Sequence, residues 1–149
     1  MQDTDKYLIA YVDGSYDPSQ KRYAYACLFL TEDGEETLAG SGNDPEVVEM
    51  RNVTGEMIAS MQAVRWAIRQ GYETLEIRYD YEGIEKWVTG AWKAKKEYTR
   101  KYAEYMRACQ SKLKLVFHKV RAHSGDKLNE KVDLLAKQEL GKEKRQEKR

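Results

Sequence analysis

The stretch YLIAYVDGSYDP (residues 7–18) alternates in a way that sets the reading of the whole chain. Tyr7, Ile9, Tyr11 and Asp13 fall on one side of an extended segment, and Leu8, Ala10 and Val12 on the other, which is the period of a buried strand. The run then ends on a carboxylate, Asp13, followed by Gly14 and Ser15, with Asp17 and Pro18 supplying turn chemistry. An ionised Asp at the inner end of a strand is costly unless something pairs with it. The stretch therefore predicts a first core strand and leaves Asp13 in need of a partner.

Working outward, RYAYACLFL (22–30) reads as a second strand, and TEDGEE turns it back into ETLAGSG (36–42) as a third. Short polar turns of this kind join antiparallel neighbours. Beyond the loop NDPEVVEMRNV the period changes. Met57, Ile58, Met61, Val64 and Ile68 recur at three and four over residues 56–70, and Gly71 closes that helix. YETLEIRYD (72–80) is again a strand, ending on Asp80. A short helix through Ile84, Trp87 and Val88 follows, then the basic stretch AWKAKKEYTRK, then a helix with Tyr98, Tyr102, Met106 and Cys109 on its apolar face. KLKLVFHKV (112–120) is a last strand, RAHSGDKL a polar loop, and NEKVDLLAKQEL (129–140) a final helix stopped by Gly141. This order predicts an α/β fold, a mixed sheet covered by helices. The strands ending at Asp13 and Asp80 and the last strand are parallel, because helices connect them.

At 149 residues the chain is long enough for one domain with a genuine core. We assign residues 1–141 to that domain and 142–149, charged and without apolar period, to a disordered tail. The formal net charge of +1 means that attraction to a polyanion must come from local clustering. Cys27 and Cys109 sit in apolar patterns without metal-ligand or redox spacing and read as reduced core residues, a disulfide being the alternative. The N-terminus carries acids where a signal peptide needs basic and then apolar residues, and YAYACLFL is too short to span a bilayer. A monomeric cytoplasmic protein without membrane contact is the expectation.

Parallel neighbours present the same end to the same side, so Asp13 and Asp80 can converge there. Glu56 falls in the first predicted turn of the connecting helix, where the dipole tolerates an anion. Asp133 lies one turn after Asn129 in the final helix. Each acid alone has an ordinary reading: a turn residue at Asp13-Gly14, a dipole acid at Glu56, a cap at Asp80. Asp133 amid VDLLA is harder to dismiss. Four clustered carboxylates would repel one another and resist ionising, and divalent cations resolve that conflict. Without nearby Cys or His pairs, such a set selects a hard ion, Mg²⁺ or Mn²⁺.

The motifs YVDGS, TGEMIASMQAV, RYDYEGIEKWVTGAWK and VRAHSGDKLNEKVDLLAK, in this order, resemble those of type 1 ribonuclease H, over residues 6–140. The YDYEGIEKW…GAWKAKK portion is most similar to Firmicutes-like members, some of which carry an N-terminal hybrid-binding domain not found in this chain. The resemblance implies a ribonuclease H-like fold, a five-stranded mixed sheet in the order 3-2-1-4-5 with helices on both faces. It implies two-metal-ion hydrolysis of the RNA strand of an RNA–DNA hybrid, leaving 3′-hydroxyl and 5′-phosphate ends. Two Mg²⁺ ions per site would act with substrate bound, Mn²⁺ being a substitute. Asp13 would bridge the metals, Asp133 would help hold the one that activates water, and Glu56 and Asp80 would hold the one facing the leaving 3′-oxygen. His123 matches a histidine that assists proton transfer or product release. Tyr81 stands where many members have Ser, and Asn52-Val53 where many have two Asn residues.

WKAKKEYTRK (92–101) holds Lys93, Lys95, Lys96, Arg100 and Lys101 against Glu97 alone. Most charge runs are solvated helix faces. With Trp87 and Trp92 interleaved, and with its match to the family's basic protrusion, this one reads as a surface for DNA-strand phosphates, Trp87 reading equally as a core residue. Gly14, Ser15 and Asn52 would approach the minor groove, where the 2′-OH separates RNA from DNA. His118, on a strand, reads as structural. The rival readings are a non-catalytic hybrid- or RNA-binding module and another nuclease of the same fold, such as a resolvase or integrase core.

Overall fold

The computed structural model describes residues 6–43, 52–120 and 126–147, with backbone alone for residue 52 and residues 143–147. Three strands, β1 (Tyr7–Asp17), β2 (Arg22–Thr31) and β3 (Gly34–Gly42), form an antiparallel meander. Helix α1 (Asn52–Arg69) crosses to β4 (Thr74–Tyr79), which runs parallel to β1. Helices α2 (Gly83–Thr89) and α3 (Glu97–Cys109) lead to β5 (Lys114–Lys119), parallel to β4, and α4 (Lys127–Glu147) ends the described chain. The sheet order is β3-β2-β1-β4-β5, as the motif resemblance implies.

Both faces of β1 are covered, which explains its alternation. Leu8, Ala10 and Val12 join Phe29, Val64, Ile77, Ile84 and Met106 under α1, α2 and α3. Tyr11 joins Ala24, Ala26, Leu28, Val132, Ala136 and Leu140 under α4 on the other face. Cys27 and Cys109 are both free and buried. No helix among the described residues is long and apolar enough to cross a membrane.

Three sequence expectations need correction. First, β1 does not end at Asp13. Its pairing with β4 ends at Tyr11↔Arg78, while its pairing with β2 continues from Asp13↔Ala26 to Asp17↔Arg22. Asp13 thus marks the place where β1 outruns its parallel neighbour. Second, α1 begins at Asn52, and no acid lies in its first turn, so Glu56 is not held by the helix dipole at that end. A Cβ on Gly55 would stand 2.0 Å from the Ala24 carbonyl oxygen and 2.8 Å from the Gly14 Cα. Glycine is required there because the helix backbone rests on the sheet backbone. Third, Gly141 does not stop α4, which continues to Glu147. One interior glycine costs a helix only about 1 kcal/mol, and Lys142 pairs with Glu139 across it at 2.7 Å. Gly71, with φ of +82°, closes α1 as expected.

Candidate active site

Where β1 outruns β4, the sheet opens into a cleft of about 480 Å³ lined by Asp13, Val53, Glu56, Asp80, Tyr81, Glu82 and Lys119. Three elements deliver its acids: β1 brings Asp13, α1 brings Glu56, and the turn after β4 brings Asp80 and Glu82, the last paired with Lys86 at 2.7 Å. The Asp13 carboxylate accepts the Gly14 amide at 2.8 Å. Burial, with repulsion from Asp133 and Asp80, pushes its pKa up to about 7, against the lowering effect of the Gly14 N–H.

Glu56 is 4% exposed. Its carboxylate accepts the Asp80 amide at 2.6 Å and the Tyr81 amide at 3.3 Å, so backbone donors from the β4 turn replace the helix end anticipated from sequence. Burial first, then the nearby charges of Asp13 and Asp80, pushes the Glu56 pKa to about 8 despite those two amides. Asp133 approaches from α4 on the opposite face of the sheet, near enough to Asp13 for a carboxyl–carboxyl hydrogen bond. It also pairs with Lys137 at 3.0 Å.

Asp13, Glu56 and Asp80 therefore share the cleft, and Asp133 reaches Asp13 from beyond it. Among the described residues, no three His, Cys, Asp or Glu side chains converge into a cation cage. The donor chemistry nonetheless fits a hard dication: every acid in the group offers oxygen alone, and a dication offsets both the burial and the smaller mutual repulsion that raise the pKa values of Asp13 and Glu56. Lys119 was not singled out from sequence. It ends β5 in register with Tyr79, so the topology that led to Asp80 also leads to it.

The residues expected to touch substrate divide. Trp87 is only 7% exposed and packs in the core against Tyr102 at 6.4 Å between ring centroids, so its indole is scaffold. Gly14 is buried beneath Gly55, and its place is to admit α1. Ser15 and Trp92 are half-buried, and Lys93, Lys95 and Lys96 are exposed. Trp92 meets Trp87 edge-on at 6.1 Å, with the Lys86 ammonium 5.3 Å from its ring centre. The Arg107 guanidinium donates to the Val88 and Trp87 carbonyls at 2.8 Å each, fastening the end of α2 to α3 beneath the basic segment. His118 is exposed on β5, so it is not a core residue. Asn52 heads α1 but its side chain, like all of His123, lies outside the described residues.

The sequence model of the RNase H family matches residues 5–141. A ribonuclease H of Ehrlichia chaffeensis is 26% identical over 147 residues, covering 94% of this chain and 99% of that protein. A second, from Ehrlichia canis, is 24% identical over 149 residues, covering 95% and 100%. Among solved structures, RNase H1 of the halophilic archaeon Halobacterium salinarum superposes with a TM-score of 0.75 at 22% identity, covering 91% of this chain and 98% of that one. LC11-RNase H1 in complex with an RNA/DNA hybrid superposes with a TM-score of 0.74 at 17% identity, covering 91% and 97%.

Proposed function

The chain belongs to the ribonuclease H family, and from that premise we propose that this enzyme hydrolyses the RNA strand of RNA–DNA hybrids at the cleft around Asp13. The observation that carries the reading is the set of acids gathered where β1 outruns β4, two of them with raised pKa values. The hybrid bound in one structural relative supports the substrate class.

Asp13 would be shared by two Mg²⁺ ions, or Mn²⁺ as substitute. Asp133 would hold the ion on the side of the attacking water, and Glu56 and Asp80 the ion on the side of the leaving 3′-oxygen. When bound, such ions supply positive charge that stabilises the negative charge building on the phosphate. Water adds to phosphorus as the P–O3′ bond breaks, so the products carry 3′-hydroxyl and 5′-phosphate ends. The Asp80 and Tyr81 amides fix the Glu56 carboxylate, which keeps it aimed into the cleft. Lys93, Lys95 and Lys96, with Trp92, take the phosphates of the DNA strand, and Ser15 and Asn52 face the minor groove. His123 assists proton transfer or product release. Residues 1–141 form the catalytic unit, acting as a cytoplasmic monomer.

Asp80→Asn tests the reading, since it removes a charged ligand and keeps the shape. Mg²⁺-dependent cleavage should fall by orders of magnitude while hybrid binding persists. The unmutated enzyme should cut RNA–DNA hybrid and leave RNA–RNA and DNA–DNA duplexes largely intact. Near-normal cleavage by the variant would remove Asp80 from the site, and equal cutting of double-stranded RNA would overturn the substrate assignment.

A further inference from the structure

On the face of β1 that carries Asp13, Tyr11 is 3% exposed and its hydroxyl lies inside a polar chain running from β4 to α4. Arg78 Nη1 donates to the Tyr11 oxygen at 2.9 Å, which leaves the phenolic hydrogen for Asp126 Oδ2 at 3.2 Å. The other Asp126 oxygen accepts the Leu128 and Asn129 amides at 3.1 and 3.3 Å, capping α4. One carboxylate thus begins the helix and fastens it to the strand. Arg78 is itself fixed by Glu76 at 2.7 Å, and Glu76 also accepts the Tyr7 hydroxyl.

The rest of the α4 seat is apolar: Val132, Ala136 and Leu140 on Ala24, Ala26 and Leu28. Contacts of that kind hold a helix down but are non-directional, so they do little against a small slide or roll. Asp13 and Asp133 meet across the same interface, so a small slide or roll of α4 changes their spacing directly. A directional bond at the head of the helix, with Arg78 behind it, opposes such a slide.

We propose that Tyr11 and Asp126 are positioning residues, a tether that sets α4, and with it Asp133, against β1 in the arrangement catalysis uses. The proposal rests on the reading of Asp133 as a metal-holding residue. Tyr11→Phe removes the tether and keeps the cap. Asp126→Ser also keeps a capping oxygen but is too short to serve Tyr11 as well. Each should lower kcat about tenfold, in keeping with the cost of sub-ångström to ångström misplacement. KM for a short RNA–DNA hybrid should stay within about twofold, since the basic segment lies on other elements. The Mg²⁺ concentration for half-maximal cleavage should rise. So should the Mg²⁺ concentration that lifts the melting temperature of the substrate-free protein, a readout that needs no turnover. The double variant should be no worse than either single one, because both remove the same bond.

Asp133→Asn separates the two levels of the argument. If it cleaves normally, the reading of Asp133 fails, and the tether's purpose with it. If it is inactive while Tyr11→Phe keeps kcat and both Mg²⁺ midpoints, the tether is refuted. Additive losses in the double variant, or losses tracking fold stability alone at unchanged Mg²⁺ midpoints, refute it equally.

Discussion

Replacing Gly55 by alanine probes how the cleft is held open at the right width. The new Cβ would stand 2.0 Å from the Ala24 carbonyl oxygen, 2.8 Å from the Gly14 Cα and 3.1 Å from the Ala24 carbonyl carbon. All three are backbone atoms of paired strands, so none can swing aside. Relief to an ordinary carbon–oxygen approach of about 3.3 Å requires α1 to lift by about 1.3 Å. Glu56 follows on the same turn, and its 2.6 Å bond to the Asp80 amide would stretch beyond hydrogen-bonding reach. Overpacking of this kind costs about 1–3 kcal/mol of stability, and misplacing a reacting group by 1 Å costs about 10²-fold in rate. Urea unfolding and Mg²⁺-dependent hybrid cleavage read the two effects separately, with kcat falling and KM nearly constant. Gly40→Ala is the control. Its Cβ would meet the Tyr25 hydroxyl at 2.4 Å, the far end of a side chain that can move, so a smaller effect is expected. A Gly55→Ala enzyme with unchanged urea midpoint and kcat within about twofold of the parent would show that α1 does not set the cleft through this contact.

Stability of the metal-free protein should depend on pH through Asp13 and Glu56. Their folded pKa values, about 7 and about 8, lie above the ordinary carboxylate range. Their stabilising contribution is therefore full below about pH 4, is lost as pH rises through 7 to 8, and is flat beyond. Melting temperatures in EDTA should fall across that window, Mg²⁺ should flatten the fall, and a level EDTA profile would contradict the raised values. Changing Lys93, Lys95 and Lys96 together to Ala should weaken hybrid binding and reduce its salt slope by about one per lost phosphate contact, with kcat at saturation retained; an unchanged slope would make the segment a solvated face. Trp87→Ala should cost about 3–5 kcal/mol of unfolding free energy, as befits a buried indole, whereas Trp92→Ala should cost less stability and more hybrid affinity.

The sequence was most readable where one local rule acted alone. Alternation gave the strands, connection length gave their directions, and the parallel alignment of β1 with β4 brought Asp13 and Asp80 to one side even though β1 runs on past Asp13. Misreadings arose where tertiary packing overrode local preference. Val53, Thr54 and Gly55 are poor helix formers, so α1 read as starting at Glu56. Its first turn is instead held by the buried Thr54 and by the close approach at Gly55. Asp13-Gly14-Ser15 has the composition of a turn, yet β2 continues to pair with it and keeps it extended. Trp87, set among lysines yet on an apolar helix face, reads equally as contact or core residue, and the fold decides for the core, with Tyr102 of α3 against it. The Tyr11–Asp126 bond links residues 115 positions apart and leaves no periodic trace.

The division of the core into two layers also imposes an order in time. Tyr11, Ala24, Ala26 and Leu28 have left the ribosome long before Val132, Ala136 and Leu140 arrive to cover them. At about 5–20 residues per second, the interval between β2 and α4 is on the order of 5–20 s. Throughout that wait the β1–β2 ribbon shows one apolar flank to its surroundings, which makes it the segment most in need of chaperone cover. The same delay keeps Asp133, carried on α4, away from Asp13 until β1, β2 and β4 have all been made.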